Sequence, residues 1–334
     1  MTDNKAIFTV YEEKYVLMHI VNDRCEDIFV YPDLAAMPIG TIINCRVEKQ
    51  LENIDSSFVR YTHDLSGFIN KAIKCETVMP LQYKKEPYRE KKALFTDKLS
   101  IKCDPNSKDE KKAAKAIIEK VREKSQHTPV YTVLYSPMPE HIKDLIYLID
   151  LGIEEVVTDR CEIREGLSVE YDSLSGPVNI IDRVSIRFYE DRLLSLCNLY
   201  SFNAKISEAI SRKVYLKSGA YITFDQTEAL CAIDVNSAQN GSKRDKDETF
   251  LMINREAAVE ISRQLRLRNI SGMILVDFIN MDDDESYEEL KECMINALSS
   301  DRIQTRFIDF TGLKLAEIVR MRSGVPLQMK LRSR

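Results

Sequence analysis

No apolar run in these 334 residues approaches the roughly 18 that a membrane span requires. The opening MTDNKAIFTVYEEK carries acids where a secretion signal is basic and then apolar. The expectation is a cytoplasmic protein that does not engage a membrane. The eight cysteines (Cys25, Cys45, Cys75, Cys103, Cys161, Cys197, Cys231, Cys293) form no CxxC pair, so neither a zinc knuckle nor a disulfide scaffold is expected, and most read as reduced core residues. Positive charge is also short. A net charge of −5 and a pI near 5.6 exclude a globally basic nucleic-acid coat, although a local basic strip beside an acidic metal site would leave the same total. Internal repeats and low-complexity linkers are absent as well.

At 44% hydrophobic residues, the chain can build two or three domains with separate cores. Residues up to about 35 alternate in strand-like pieces, AIFTVY, KYVLMHIV and DIFVY, ended by Pro32. Then GTIINCRVEKQL, SSFVRYTHDLSGFI and VMPLQYKK form short alternating segments between polar turns, a pattern suited to a five-stranded OB barrel. Phe58 and Arg60 share one strand face there, and Phe68 opens the next strand. The basic run KKEPYREKK, 84–92, reads as a solvated loop or, beside such a barrel, as an RNA contact. A Lys-rich helix over 108–126, a strand PVYTVLY, a helix stopped by Gly152 and a strand EEVVTD suggest a small parallel unit, and a long helix is expected near 190–213.

Two strands raise the chemical question. AYITFDQTEALCAIDVN reads as a hairpin whose second strand points Ile233 and Val235 to one face, and Asp234 and Asn236 to the other. A helix follows from about 248, with Phe250, Ile253, Ala257, Ile261 and Leu265 as its core stripe and Arg255, Arg263 and Arg266 on its polar side. RNISG closes it, and MILVDFI, bearing Asp277, reads as a parallel strand buried on both faces. Either aspartate alone suits a turn or cap. Neighbouring parallel strands are about 4.8 Å apart, so the pair repels unless it shares a proton or a cation, and two hard oxygen ligands suit Mg²⁺. Asn236 could orient a carboxylate or a water. The acids of MDDDESYEEL, 281–290, belong instead to the start of a helix.

The segments RKVYLKSGAYITFDQTEALCAIDVNS (212–237), NREAAVEISRQLRLRNISGMILVDFINMDD (254–283) and DRIQTRFIDFTGLKLAEIVRMR (301–322) resemble the ribonuclease E/G family. SSFVRYTHDLSGFI and KEPYREKKALFTDKLSI carry the same likeness more faintly. The resemblance implies a mixed α/β multidomain fold: an OB-type barrel of the ribosomal-protein S-one kind (36–100) inserted in an RNase H-like domain (1–35 and 161–214), a reduced sensor-like α/β region (101–160), and a DNase I-like catalytic domain (215–334). It implies a Mg²⁺-dependent endoribonuclease of RNA processing or decay that leaves 5′-phosphate and 3′-hydroxyl ends on single-stranded RNA. Asp234 and Asp277 would hold the metal and Asn236 would support hydrolysis. Phe58 and Phe68 would stack bases and Lys91 would contact backbone, while Arg263 and Arg266 read either as a solvated helix face or as phosphate contacts.

Two features depart from the family. No CPxC motif occurs, so no structural zinc and no zinc-linked dimer is expected, with another homo-oligomer left open. The family's Arg-Thr 5′-monophosphate sensor is matched only by Tyr131-Thr132, which implies that 5′-end sensing is lost or replaced. Two other readings remain: an RNA-binding protein without catalysis, and a hydrolase of small phosphate esters.

Overall fold

Three strands open the chain, β1 (Asn4–Tyr11), β2 (Lys14–Val21) and β3 (Arg24–Tyr31). Both connections are two-residue turns with positive φ at each position, 46° and 64° at Glu12 and Glu13, 49° and 64° at Asn22 and Asp23. Such turns match the right-handed twist of the strands they join. Coordinates come from a computed structural model that describes residues 3–51, 54–87, 92–104, 106–173, 176–237 and 246–332. Two compact units result, one from Met1–Pro32, Gly152–Ile163 and Ile186–Arg334, the other from Asp33–Leu151 and Arg164–Ser185.

In the second unit, β4 (Ile42–Leu51), β5 (Ser56–Arg60), β6 (Ser66–Ile69), β7 (Val78–Lys85) and β8 (Ala93–Thr96) run β5-β6-β8-β7-β4, and a β4–β5 pairing closes the barrel. Cys45, Val47, Val59, Ile69, Leu81 and Phe95 fill it. Gly67 is required there: a Cβ would lie 2.6 Å from the Phe95 ring. Ser107 caps α1 (Lys108–His127), and β9 (Val133–Tyr135) and α2 (Glu140–Asp150) follow.

The small parallel unit expected from this stretch does not form. β9 pairs antiparallel with β4 of the barrel, whereas β10 (Glu155–Thr158) pairs parallel with β1. Local periodicity identifies the strands but carries no information on their partners. After α3 (Cys161–Leu167), β11 (Glu170–Ser173) and β12 (Gly176–Asn179) make a hairpin, and β13 (Ser185–Phe188) completes the sheet β13-β10-β1-β2-β3. The long helix expected near 190–213 is instead two short ones, α4 (Leu196–Leu199) and α5 (Phe202–Ile210). Ser195 caps the first, and Ser201, with φ of 52°, breaks the chain between them.

The remaining strands form the sheet β14-β15-β16-β17-β19-β18. They are β14 (Lys213–Tyr215), β15 (Tyr221–Gln226), β16 (Leu230–Asn236), β17 (Gly272–Asp277), β18 (Thr305–Phe310) and β19 (Ala316–Arg320). Two helices, α6 (Lys246–Leu267) and α7 (Asp284–Ser299), bury Ile253, Ala257, Ile261, Leu265, Leu290 and Met294 with the inward residues of this sheet. A last helix, α8 (Leu327–Arg332), places Leu327 in the core of the N-terminal sheet. β17 corrects one expectation. It alternates instead of being buried on both faces, with Ile274 and Val276 inside and Met273 55% exposed, because the helices cover only one side. Among the described residues, no helix is long and apolar enough to cross a membrane.

Candidate active site

Alternation along β16 decides which side chains meet. Cys231, Ile233 and Val235 enter the core, so Ala232, Asp234 and Asn236 lie on the open face. The hairpin behind them is fixed by Thr227, whose hydroxyl donates to the Leu230 carbonyl at 2.7 Å and accepts from its N–H at 3.1 Å. β17 then pairs parallel to β16 in a register that sets Asp277 directly beside Asp234. Parallel neighbours are about 4.8 Å apart, so the two exposed carboxylates share one patch of one sheet face. Asn236 donates from Nδ2 to Oδ2 of Asp234, fixing one carboxylate oxygen.

The end of β17 is held in place from behind. Asn254 of α6, fully buried, donates to the Ile279 carbonyl at 2.8 Å and accepts from the Ile279 N–H at 3.0 Å. That paired bond anchors the backbone two residues after Asp277, a role the sequence hides because Asn254 lies on the core stripe of a helix. On the far side, Asp283 caps α7 by accepting from the Ser286 N–H at 2.7 Å, with Asp284 and Glu285 in its first turn. Those acids therefore serve the helix, as the sequence indicates.

Among the described residues, neither Asp234 nor Asp277 is engaged in an ion pair with a lysine, arginine or histidine. No described cluster of three or more His, Cys, Asp or Glu could hold a metal. Two carboxylates outside any described ion pair, with a neighbouring amide, are a donor set that fits Mg²⁺, which takes one or two carboxylates and keeps most of its water. The same set does not fit zinc in a closed tetrahedral site.

The other expected site residues divide. Phe58 and Phe68 face each other across β5–β6, ring centroids 5.7 Å apart at 66°, both half-exposed on the outside of the barrel while Val59 and Ile69 fill its core. Lys92, the last residue of the basic run, sets a cation beside them: its ammonium lies 5.0 Å from the Phe58 ring centre and donates to the Ser66 hydroxyl at 2.6 Å. Lys91 lies outside the described residues. Tyr131, with φ of 69°, donates its N–H to the Asn44 carbonyl at 2.7 Å and packs its ring on His63, so this stretch is fastened to β4.

Arg263 is a correction. Neither a solvated face nor a phosphate contact describes it: its side chain is 7% exposed, paired to Glu260 at 2.7 Å, and donates to the Cys25 carbonyl. Arg24 reaches the same Glu260 carboxylate, so the cluster ties α6 to β3. Arg266 is half-buried and donates to Ser300 Oγ at 3.2 Å. Both arginines line a groove of about 710 Å³ with Arg24, Arg255 and Glu289, and Asp234, Asn236 and Asp277 are not part of it.

Comparison with known proteins identifies the family of the chain. A sequence model described as "Ribonuclease E/G family" matches residues 104–323, well over half of the chain. Ribonuclease G of Escherichia coli (strain K12) is 40% identical over 126 residues, 38% of this chain and 26% of that protein. Ribonuclease E of Synechocystis sp. is 43% identical over 131 residues, 39% of this chain and 19% of that protein. Ribonuclease E of Nostoc sp. is 44% identical over 125 residues, 37% of this chain and 18% of that protein. The matched stretch thus spans about a quarter or less of the length of these relatives.

Proposed function

Because the chain belongs to the ribonuclease E/G family, we propose that it is a Mg²⁺-dependent endoribonuclease that hydrolyses single-stranded RNA in RNA processing or decay, leaving 5′-phosphate and 3′-hydroxyl ends. The observation that carries this reading is the register pairing of Asp234 with Asp277 on an uncovered sheet face. On this reading the sheet with α6 and α7 is a DNase I-like catalytic domain, the N-terminal sheet is RNase H-like, and the inserted barrel is an S-one-type RNA-binding domain.

Asp234 and Asp277 would hold the metal, which would supply a Lewis acid for the phosphoryl oxygens and acidify water at the site. Asn236 keeps Asp234 in one orientation through its Nδ2 donor, and its amide oxygen, which accepts no hydrogen bond among the described residues, can accept one from the attacking water. Asn254 limits the movement of the Asp277 backbone. The half-exposed pair Phe58 and Phe68, with Lys92 beside them, stacks bases at about 1–3 kcal/mol each and tolerates many sequences, which selects unpaired strands.

The test is Asp277→Asn. Cleavage of an unstructured RNA should fall at least about a hundredfold, while affinity for the same RNA changes less than about threefold. Cleavage at the wild-type rate sinks the assignment, and RNA that binds without being cut by the wild-type chain in Mg²⁺ supports the binding-only reading.

A further inference from the structure

The open face that carries the two aspartates continues, strand by strand, to an edge that no part of the proposed reaction uses. Register places Tyr221 of β15 directly across from Asn236, and Tyr215 of β14 directly across from Tyr221. One row along, Lys213 lies across from Thr223, which lies across from Asp234. At about 4.8 Å per strand, Tyr221 is roughly 5 Å and Tyr215 roughly 10 Å from the Asn236 position. That is the range of the nucleotides next to a phosphate held at the carboxylates.

The three side chains form one assembly. The Lys213 ammonium lies 3.5 Å from the Tyr221 ring centre and 4.7 Å from the Tyr215 ring centre, and the rings are 6.2 Å apart. Tyr215 is 71% exposed, which leaves a ring face open to solvent. Among the described residues Lys213 has no carboxylate partner, whereas the neighbouring Arg212 is neutralised by Asp225 at 2.5 Å. A cation steadied by two rings keeps its charge and its attraction for phosphate, while a bare ring beside it offers a stacking surface.

We infer that Lys213, Tyr215 and Tyr221 form a stacking site for a base of the single strand flanking the cleaved phosphate, with Tyr215 as the platform and Lys213 as the backbone contact. The position of that phosphate rests on the nuclease reading above. Charge and continuity with the carboxylate patch favour RNA as the occupant over a second copy of the chain, which an unneutralised ammonium on the patch does not favour.

The experiment walks 2-aminopurine along an unstructured RNA and reads its quenching on the non-cleaving Asp277→Asn chain. Quenching should be strongest one or two nucleotides from the bond that the wild-type chain cuts. Adding Tyr215→Ala should remove that quenching and weaken binding about five- to a hundredfold. Tyr215→Phe, which keeps the ring, should stay within about twofold, and Lys213→Gln should reduce the salt slope of binding by roughly one. Unchanged quenching and affinity in Tyr215→Ala overturn the inference, as does a Tyr215-dependent self-association with RNA binding untouched. A wild-type chain that does not cut, yet shows Tyr215-dependent quenching, removes the nuclease reading and keeps the stacking site. A chain that cuts, with quenching indifferent to Tyr215, does the reverse.

Discussion

Asp234 and Asn236 are readable from sequence because a strand has a period of two: once Ile233 and Val235 are inside, their neighbours face out. Arg263 is not, since what buries it comes from the Cys25 strand, 238 residues away. Helical spacing identifies a polar side but cannot say that another sheet covers it. Its partner Glu260 makes the cost of that burial measurable. Burial opposes the charged form, yet hydrogen bonds and charge from Arg263, with Gln264 and Arg24, hold the Glu260 carboxyl below its ordinary 4.5. A depressed carboxylate contributes stability that is complete above the unfolded value and is lost as pH falls through the folded one. Glu260→Gln should therefore cost about 3 kcal/mol at pH 7, and the gap to wild type should narrow below about pH 4.5 in urea melts run across that range. A gap independent of pH would show that Glu260 acts through packing alone.

Helix α6 shows what local sequence can and cannot specify about an element. Its core stripe and its stop are both legible, and RNISG ends it by a defined mechanism. Asn269 takes a left-handed φ of 51°, its N–H donates to the Arg266 carbonyl and the Ile270 N–H donates to the Leu265 carbonyl, both at 3.0 Å. These are the two bonds of a Schellman motif, with Ile270 and Leu265 in one core. The Asn269 side chain also donates to the Ser323 carbonyl at 2.6 Å and accepts from Arg320 at 2.9 Å, itself paired with buried Asp301 at 2.6 Å. No local signal announces that second task. Asn269→Ala should destabilise the chain by about 2–4 kcal/mol, from left-handed strain and lost part-buried side-chain bonds, and Asn269→Gly should recover about 1 kcal/mol. Equal losses in the two variants, measured by chemical denaturation, would remove backbone strain from the account.

For the whole molecule, the hairpin that carries Asp234, the crossover helix and the barrel strands follow from turn chemistry and alternation, both local. What escaped was pairing between distant segments: β10 joins β1 across some 150 residues, and β9 extends the barrel at β4. The same limit explains the two-sided burial wrongly expected for β17, because an apolar run cannot reveal that helices cover one face only. The edge of that face is illegible in the sequence for a related reason, since Lys213, Tyr215 and Tyr221 assemble only when β14 and β15 pair. The proposed hydrolysis requires Asp234 and Asp277, side by side in register, to act on one ion. Manganese binding followed by electron paramagnetic resonance, with wild-type, Asp234→Asn and Asp277→Asn chains side by side, tests this without reference to activity. One tightly bound ion per wild-type chain, lost in both variants, is the predicted result; an ion retained in full by either variant would contradict it.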